Sequence, residues 1–471
     1  MWTGYFADRG TARSRSQPIN DGPFAGLDRP VLTPASAERA VAGRRTGAEA
    51  ALNGNERRIV ALTSVGHALC HTSELAFAGV LVTLIGEFKL RPDQATLLGL
   101  TGYVLMGVGA IPTGLWTDRW SSRGVLTVYF FLVAGAAAVV SLADSALALA
   151  AGLTLLGAAI SLYHPAGLAM IARGCRLRGR AMGINGVAGS AGVAFGPMLG
   201  AWMAALGQWR LAYVLIALAS LVAGLAVTLL RIDESAAEPH PAPPGEGADT
   251  ATSNSRWPAT GQHTLGLHQR AGASTGLWLL FGAMLLGGLN YRCLVTALPA
   301  YLTGPSTDAA ALSKGGALAF LVLAMGGIGQ LVGGHAADRW QPSRLYVLLI
   351  AATVPLALVM AHAGQPTPVV AAGMLAIFMF GQQPVENILL AQATSAHNRS
   401  MLYGVKFTLS FGLGALGTYL VGVIWERRGS LAPAFDLFAV SAFAMAVCAV
   451  LFRLSRTRAL PQGVPAAPLQ A

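Results

Sequence analysis

The sequence predicts an all-α membrane protein in which twelve transmembrane helices form two six-helix bundles related by a parallel repeat. Only 11% of the 471 residues are charged and 54% are hydrophobic, whereas soluble domains carry about 25% charged residues. Twelve apolar stretches are long enough to cross a bilayer, which takes roughly 20 residues per helix. The same polar signature closes an apolar stretch at two places, Gly114–Trp120 and Gly334–Trp340.

The apolar stretches fall into two sets of six, separated by a long polar segment. The first set is predicted at residues 60–85, 94–116, 124–143, 145–172, 181–206 and 210–230. The second set is predicted at residues 277–302, 313–336, 345–363, 366–394, 401–424 and 433–454. The resulting domains are a disordered cytoplasmic tail at 1–57, an N-terminal bundle at 58–230, a cytoplasmic linker at 231–276, a C-terminal bundle at 277–455 and a cytoplasmic tail at 456–471.

The repeat extends beyond the signature. At shifts of 219 to 221 positions, His164-Pro165 corresponds to Gln383-Pro384, and Gly183, Asn185 and Gly196 correspond to Gly404, Lys406 and Gly417. Since both signatures follow an apolar stretch and lead into a short basic loop, the two halves should cross the membrane in the same orientation. Parallel repeats of this kind are the plan of many secondary transporters.

The net charge of +11 reflects topology, and no nucleic-acid partner is expected. Of the 32 lysine and arginine residues, 24 fall on one set of loops and tails and 6 on the opposite set. Because cytoplasmic loops carry the excess of positive residues, the chain is predicted to lie in the cell (inner) membrane with both termini in the cytoplasm. The four cysteines share no metal-type spacing and imply no disulfide framework.

The polar signature resembles that of a known family. Gly114, Asp118, Arg119 and Arg123 resemble the best-known signature of the major facilitator superfamily, with departures at the two serines that precede Arg123. The resemblance covers about residues 58–455. It implies the major facilitator fold, with a substrate site near the membrane midplane between the two bundles.

The fifth apolar stretch resembles the glycine motif of antiporter-type exporters in the same superfamily. The matching residues are Gly183, Gly192, Gly196, Pro197 and Gly200, while an alanine takes the place of the final glycine. Small residues on one helix face let another helix approach closely, and a proline inside a helix permits bending. The alternative interpretation is static close packing that has no meaning for export.

Ionisable residues in the first stretch form the most informative set. His67, His71 and Glu74 recur at i, i+4 and i+7 and so share one helix face. Together with Tyr163-His164-Pro165, His71 and Glu74 resemble the fosmidomycin-resistance group of exporters. Intramembrane ionisable groups tend to face the bundle interior or water. The competing interpretations are proton coupling or substrate contact, a satisfied polar plug, and a zinc site, although no further ligand cluster supports a metal.

Other intramembrane polar residues are dispersed over both halves. The candidates for the substrate cavity are His164, Asn185, Asn290, Arg292, Gln383, Glu386 and Lys406. Glu386 and Lys406 carry opposite charges and are expected to pair, either permanently or in a way that breaks during transport. Arg292 could bind an anionic substrate through two hydrogen bonds, or its charged end could extend to the membrane surface.

Charged residues around the two signatures are candidates for gating, that is, for contacts that change between conformations. They are Asp118, Arg119, Arg123, Asp338, Arg339 and Arg344. A carboxylate at a helix end could pair with a neighbouring helix in one conformation and lose that partner in another. The alternative is that the arginines only anchor the topology at the membrane surface.

These features predict a transporter that exports a small molecule by proton antiport and alternating access. One alternative is a proton-coupled uptake symporter for a small solute such as an anion, and another is a membrane sensor or partner-binding protein without transport. No nucleophile–base set, nucleotide loop or metal signature suggests an enzyme, and no cofactor is expected. The expected partners are the substrate, protons and the lipid bilayer, with the protein acting as a monomer.

Overall fold

The computed structural model describes residues 52–234, 267–304, 308–364, 367–393 and 399–458. Most of the predicted first tail, the greater part of the predicted linker and the end of the second tail lie outside these ranges. Within them every regular element is helical. Twelve helices are long and apolar enough to span a membrane, in agreement with the predicted fold class.

The helices fall into the two predicted sets. The first six are α1 (Gly54–Glu87), α2 (Pro92–Arg119), α3 (Ser122–Ser141), α4 (Ala146–Gly174), α5 (Arg178–Ala205) and α6 (Trp209–Leu229). The second six are α7 (Leu267–Thr303), α8 (Ala309–Arg339), α9 (Pro342–His362), α10 (Thr367–Ala393), α11 (Leu402–Arg428) and α12 (Pro433–Arg458). Helix α11 contains a π-helical turn at Thr408–Gly412, followed by a 3₁₀ turn at Leu413–Ala415.

Helix α1 begins six residues before the predicted apolar stretch because its polar first turn is capped. The side chain of Asn53 accepts a hydrogen bond from the backbone N–H of Glu56 at 2.9 Å. The carboxylate of Glu56 in turn accepts from the backbone N–H of Asn53 at 2.8 Å. This reciprocal cap satisfies two N–H groups at the helix end, so the helix continues beyond its apolar segment.

The two halves are built in the same way and meet mainly along two helix pairs, with a further contact between α1 and α7. Within the halves α1 packs on α5 as α7 packs on α11, and α2 packs on α4 as α8 packs on α10. Between the halves α2 contacts α11 and α5 contacts α8. Small residues allow these close approaches: Gly157 of α4 lies against the backbone of Gly102, and Gly107 of α2 lies against Gly412 of α11.

Candidate functional site

A cavity of about 780 Å³ lies between the two halves. Among the residues that line it are His67, His71, His164, Asn185, Gln383, Glu386 and Lys406. The sequence predicts seven residues for the substrate cavity. Five of them line it, namely His164, Asn185, Gln383, Glu386 and Lys406. The other two, Asn290 and Arg292, are buried outside it.

The cavity extends toward the arginine-rich side of the protein. Its lining residues lie between the middle of each helix and the arginine-rich end, for example from Met182 to Val193 in α5 and from Gln330 to His335 in α8. Toward the opposite side the halves pack together, and Gly316 of α8 leaves no room for a side chain against Ala201 of α5. In the predicted topology this arrangement faces the cytoplasm.

Three histidines meet in the cavity wall. The ring centroids of His67 and His71 are 5.0 Å apart, and the ring of His164 lies 5.2 Å from that of His67 and 5.3 Å from that of His71. One ring nitrogen of each histidine lies within 4.8 Å of those of the other two. The sequence shows that His67 and His71 share a face of α1. It does not show that α4 brings His164 to them.

A chain of hydrogen bonds fixes the orientation of His67. Its Nδ1 lies 2.8 Å from the backbone carbonyl oxygen of Asn185, and because a carbonyl only accepts, Nδ1 carries the hydrogen. The side-chain amide of Asn185 donates to the hydroxyl of Tyr163 at 2.7 Å. That hydroxyl donates to the carbonyl of Thr63 at 2.7 Å. Asn185 in the cavity wall and Tyr163 behind it thus fix the orientation of His67.

Glu74 connects the histidines to the second half of the protein. Its Oε2 lies 2.6 Å from Nδ1 of His71, and its Oε1 lies 2.6 Å from Nη2 of Arg292 in α7. Both side chains of the Glu74–Arg292 pair have an exposed fraction of 0%. Since α1 and α7 belong to different halves, this buried ion pair crosses from one bundle to the other.

The position of Arg292 differs from both sequence-based expectations. In this conformation its guanidinium neither lines the cavity nor reaches the membrane surface. It lies 3.9 Å from the ring centroid of Tyr103 in a cation–π contact. Its Nε and Nη1 have no hydrogen-bond partner among the described residues. The physical reason for this position is the carboxylate of Glu74, because a buried guanidinium is tolerated only when an opposite charge compensates it.

The second half places its own ion pair in the cavity wall. Nζ of Lys406 lies 2.7 Å from Oε1 of Glu386, with 9% and 8% of the two side chains exposed. The hydroxyl of Tyr346 donates to the other carboxylate oxygen of Glu386 at 2.7 Å, and Nζ of Lys406 donates to the side chain of Asn387 at 2.5 Å. The pairing expected between α10 and α11 is therefore present in this conformation.

Two phenylalanines that sequence reasoning missed also line the cavity. The rings of Phe407 and Phe411 in α11 are parallel within 2°, with centroids 5.7 Å apart. His164 of α4 stacks on both, at 5.3 Å and 5.6 Å. Their i, i+4 spacing was the available signal, but such pairs usually belong to a core. The stacking shows that the second half contacts the histidine cluster of the first.

The charged residues around the repeated signatures lie at the arginine-rich ends of the helices. Those with exposed side chains are Asp118, Arg119, Arg339 and Arg344. Arg123 instead donates to the carbonyl oxygens of Val227 and Thr228, at 3.0 Å and 3.2 Å, and so joins α3 to α6 within the first half. The side chain of Asp338 lies outside the described part of the chain.

The glycine motif of α5 lies mostly against α1. The backbone of α1 lies directly beneath Gly192, Gly196 and Gly200, and the carbonyl of Pro197 lies against Gly79. Gly183 differs, because no described atom outside its own helix turn lies within 4 Å of the position that its Cβ would take. Three glycines of the motif thus keep α1 and α5 in close contact, while the first faces the cavity.

Comparison with known proteins adds one family match. The sequence profile described as Major Facilitator Superfamily matches residues 63–418. No curated protein matches the chain significantly.

Solved structures of similar fold include those of membrane transporters. A bacterial homolog to the human lysosomal transporter Spinster, inward-facing and occupied, has a TM-score of 0.64 at 15% identity, covering 88% of this chain and 100% of that one. Its inward-facing unoccupied form has a TM-score of 0.59 at 15% identity, covering 86% and 96%. A variant of the nucleoside transporter NupG has a TM-score of 0.62 at 14% identity, covering 85% and 100%. At identities this low, the structural similarity shows a common fold and nothing more.

Proposed function

The chain belongs to the Major Facilitator Superfamily and is a multi-pass secondary transporter, and from this premise we propose that it exports a small molecule in exchange for protons. The substrate binds in the cavity between the two bundles. Rocking of one bundle against the other then exposes the cavity to each side of the membrane in turn. In this proposal the protein works as a monomer.

The observation that supports proton coupling is the ion pair between Glu74 and Arg292. A proton on Glu74 would remove the charge that attracts Arg292 and so weaken a contact between the two halves. His67 and His71 line the cavity, and His71 contacts Glu74, so they provide a route from the cavity to the carboxylate. Proton binding is thereby linked to the relative movement of the bundles, as coupling requires.

The export direction is supported by two features of the sequence. The glycine motif that begins at Gly183 resembles that of antiporter-type exporters. His71, Glu74 and the Tyr163-His164-Pro165 segment resemble the fosmidomycin-resistance group, and we place the chain nearest to that group. Proton-coupled uptake of an anion is the second candidate, because Lys406 supplies a positive charge at the cavity wall.

Flux measurements in membrane vesicles separate these functions. Everted vesicles that respiration has acidified should lose part of their proton gradient when the substrate of an antiporter is added. A symporter would show substrate-dependent proton entry in right-side-out vesicles, and a sensor would show neither effect. A growth screen of expressing cells against toxic compounds supplies the substrates to test.

The role of Glu74 is tested by Glu74→Gln in reconstituted vesicles. Glutamine keeps the shape of the side chain but cannot bind the coupled proton as a carboxylate does. Gradient-driven flux should fall at least about 100-fold, the order of effect seen for loss of one proton-transfer group. Exchange between equal compartments should continue. Glu386→Gln is the matched control, and at saturating substrate it should retain gradient-driven flux. Undiminished gradient-driven flux in Glu74→Gln would exclude Glu74 as the proton carrier.

We also propose that the arginine-rich side faces the cytoplasm of the cell and that both termini lie there. Gln341 and Ser430 are exposed at opposite ends of the bundle. A membrane-impermeant thiol reagent added to intact cells should label Ser430→Cys and leave Gln341→Cys unlabelled. Of the native cysteines, Cys70, Cys175 and Cys293 are buried, which keeps the background low. The reverse labelling pattern would overturn the orientation.

A further inference from the structure

We propose that His67, His71 and His164 bind a divalent transition-metal ion of the zinc class. One nitrogen from each ring lies within 4.8 Å of the other two, and all three residues line the cavity. Sequence spacing offered two histidines and a carboxylate on a single helix. The fold instead uses the carboxylate for Arg292 and supplies a third imidazole from α4.

Two of the histidines are oriented as metal ligands usually are. A ligating histidine commonly donates its second ring N–H to a backbone carbonyl or a carboxylate, which fixes its tautomer. Nδ1 of His67 lies 2.8 Å from the carbonyl oxygen of Asn185, and Nδ1 of His71 lies 2.6 Å from the carboxylate of Glu74. With Nδ1 engaged in both rings, Nε2 is the nitrogen left for an ion.

The third histidine has an unsatisfied ring nitrogen. Nε2 of His164 is buried and has no hydrogen-bond partner among the described residues, and only 8% of the residue is exposed. Leaving a buried polar atom without a partner is costly, so such atoms in native proteins call for an explanation. A metal ion shared with the other two imidazoles would satisfy this nitrogen.

The three nitrogens could take tetrahedral positions around one ion if the rings moved slightly closer together. Zinc–nitrogen bonds of about 2.0–2.1 Å place the nitrogens of a tetrahedral site roughly 3.3 Å apart. The nitrogens now lie up to 4.8 Å apart, so a bound ion would draw the three rings closer together. Three protein ligands leave the fourth position open to the cavity, as in zinc sites that exchange a ligand.

The electrostatic surroundings do not exclude a cation. Arg292, whose partner Glu74 also contacts His71, is neutralised by that carboxylate, and Lys406 is paired with Glu386. The histidines also lie in α1 and α4, two helices of the same bundle. Relative movement of the two bundles would therefore leave the set of ligands intact.

Metal binding is testable without any assumption about transport, so its failure would leave the proposed function untouched. The full chain is purified in detergent through an affinity tag that contains no histidine and is titrated with Co²⁺. About one equivalent should produce the visible absorption of four-coordinate Co²⁺. Zn²⁺ should then remove this absorption, because it binds such sites more tightly than Co²⁺.

The decisive variant is His164→Phe, compared with His335→Gln. Phenylalanine preserves the stacking on Phe407 and Phe411 but lacks a ligand nitrogen, so the affinity for Co²⁺ should fall at least about 100-fold, the upper range for loss of a supporting group. His335 also lines the cavity but lies outside the cluster, so His335→Gln should bind as the wild type does.

Thermal unfolding supplies a second readout. Zn²⁺ should raise the unfolding temperature of the wild type and of His335→Gln, because an ion that binds only the folded state stabilises it. It should not raise that of His164→Phe, whose unfolding transition without metal shows whether the variant is folded. The proposal is overturned if the wild type shows no Co²⁺ absorption or if folded His164→Phe binds Co²⁺ with unchanged affinity.

Discussion

Each half of the protein buries a glutamate near the middle of a helix, Glu74 in the first half and Glu386 in the second, and the two halves place it differently. In the first half Glu74 pairs with Arg292 of the other half, and neither side chain is exposed. In the second half Glu386 pairs with Lys406 of its own half, in the wall of the cavity. The first pair is a contact between the bundles, whereas the second is a polar part of the surface that a substrate would meet.

This difference follows from the helices that carry the residues. Glu74 lies on α1 and faces α7, so its charge is compensated only while the two bundles keep their present relation. Glu386 and Lys406 lie on α10 and α11, where Tyr346 and Asn387 of the same bundle complete the hydrogen bonding. Changes at Glu74 or Arg292 should therefore affect the relation between the bundles, and changes at Glu386 should remain local.

The largest expected loss of folding stability comes from removing one partner of the first pair, as in Arg292→Gln. It leaves Glu74 buried without its counter-charge, and breaking a buried ion pair by removing one partner costs about 3–5 kcal/mol of folding stability. The double variant Glu74→Gln with Arg292→Gln removes both charges and should recover most of this loss. Denaturant unfolding in micelles measures the folding stability of the single and the double variant. A double variant that is less stable than Arg292→Gln would mean that the charges do not act as a pair.

A smaller loss of stability is expected for two glycine variants, which test whether the two halves pack as true repeats. Gly196 of α5 and Gly417 of α11 occupy corresponding positions, and a Cβ would lie 2.9 Å and 2.6 Å from carbonyl oxygens of α1 and α7. Alanine at either position should destabilise the protein by about 1–3 kcal/mol through overpacking.

The matched controls are the corresponding glycines Gly183 and Gly404. Gly183 has open space and Gly404 has only a side-chain contact at 3.4 Å, so alanine there should change stability by less than about 0.5 kcal/mol. Equal costs at all four positions would show that the correspondence in sequence does not extend to packing.

Most of the fold could be predicted from the sequence because few backbone structures are stable inside a bilayer. Long apolar stretches must be helices, since every backbone polar group needs an internal partner. The duplicated signature then relates the two halves. The start of α1 was missed because a cap of polar residues, and not hydropathy, sets it. The π-helical turn at Thr408–Gly412 has no apolar signature either.

The composition of the candidate site was largely predictable, but its connections were not. Hydropathy identifies polar residues inside apolar stretches, and Glu386 with Lys406 could be matched by charge. The partner of Glu74 depends on how α1 faces α7, which no local pattern encodes. For the same reason His164 could be named as a cavity residue, while its contacts with His67, His71 and the phenylalanines could not be foreseen.

Glu386→Gln should have a smaller effect than Arg292→Gln because the cavity wall is partly exposed. Lys406 keeps its hydrogen bond to Asn387 and some contact with solvent, so the loss of stability should be about 1–2 kcal/mol. If the second half contacts the substrate, KM should change more than gradient coupling. Tyr346→Phe is the control, since it removes only the hydrogen bond to Glu386. A loss as large as that of Arg292→Gln would contradict the distinction between the two pairs.

The smallest effect on stability, within about 0.5 kcal/mol, is expected for Asp118→Asn and Asp338→Asn. Asp118 is exposed at a helix end in this conformation, and neither change alters the arginines that set the topology. Insertion should therefore be normal. Transport should nevertheless be slower if each carboxylate gains a partner when the arginine-rich side closes. Initial flux rates at equal surface expression measure this. Normal rates in both single variants and in the double variant would leave the signature with only an anchoring role.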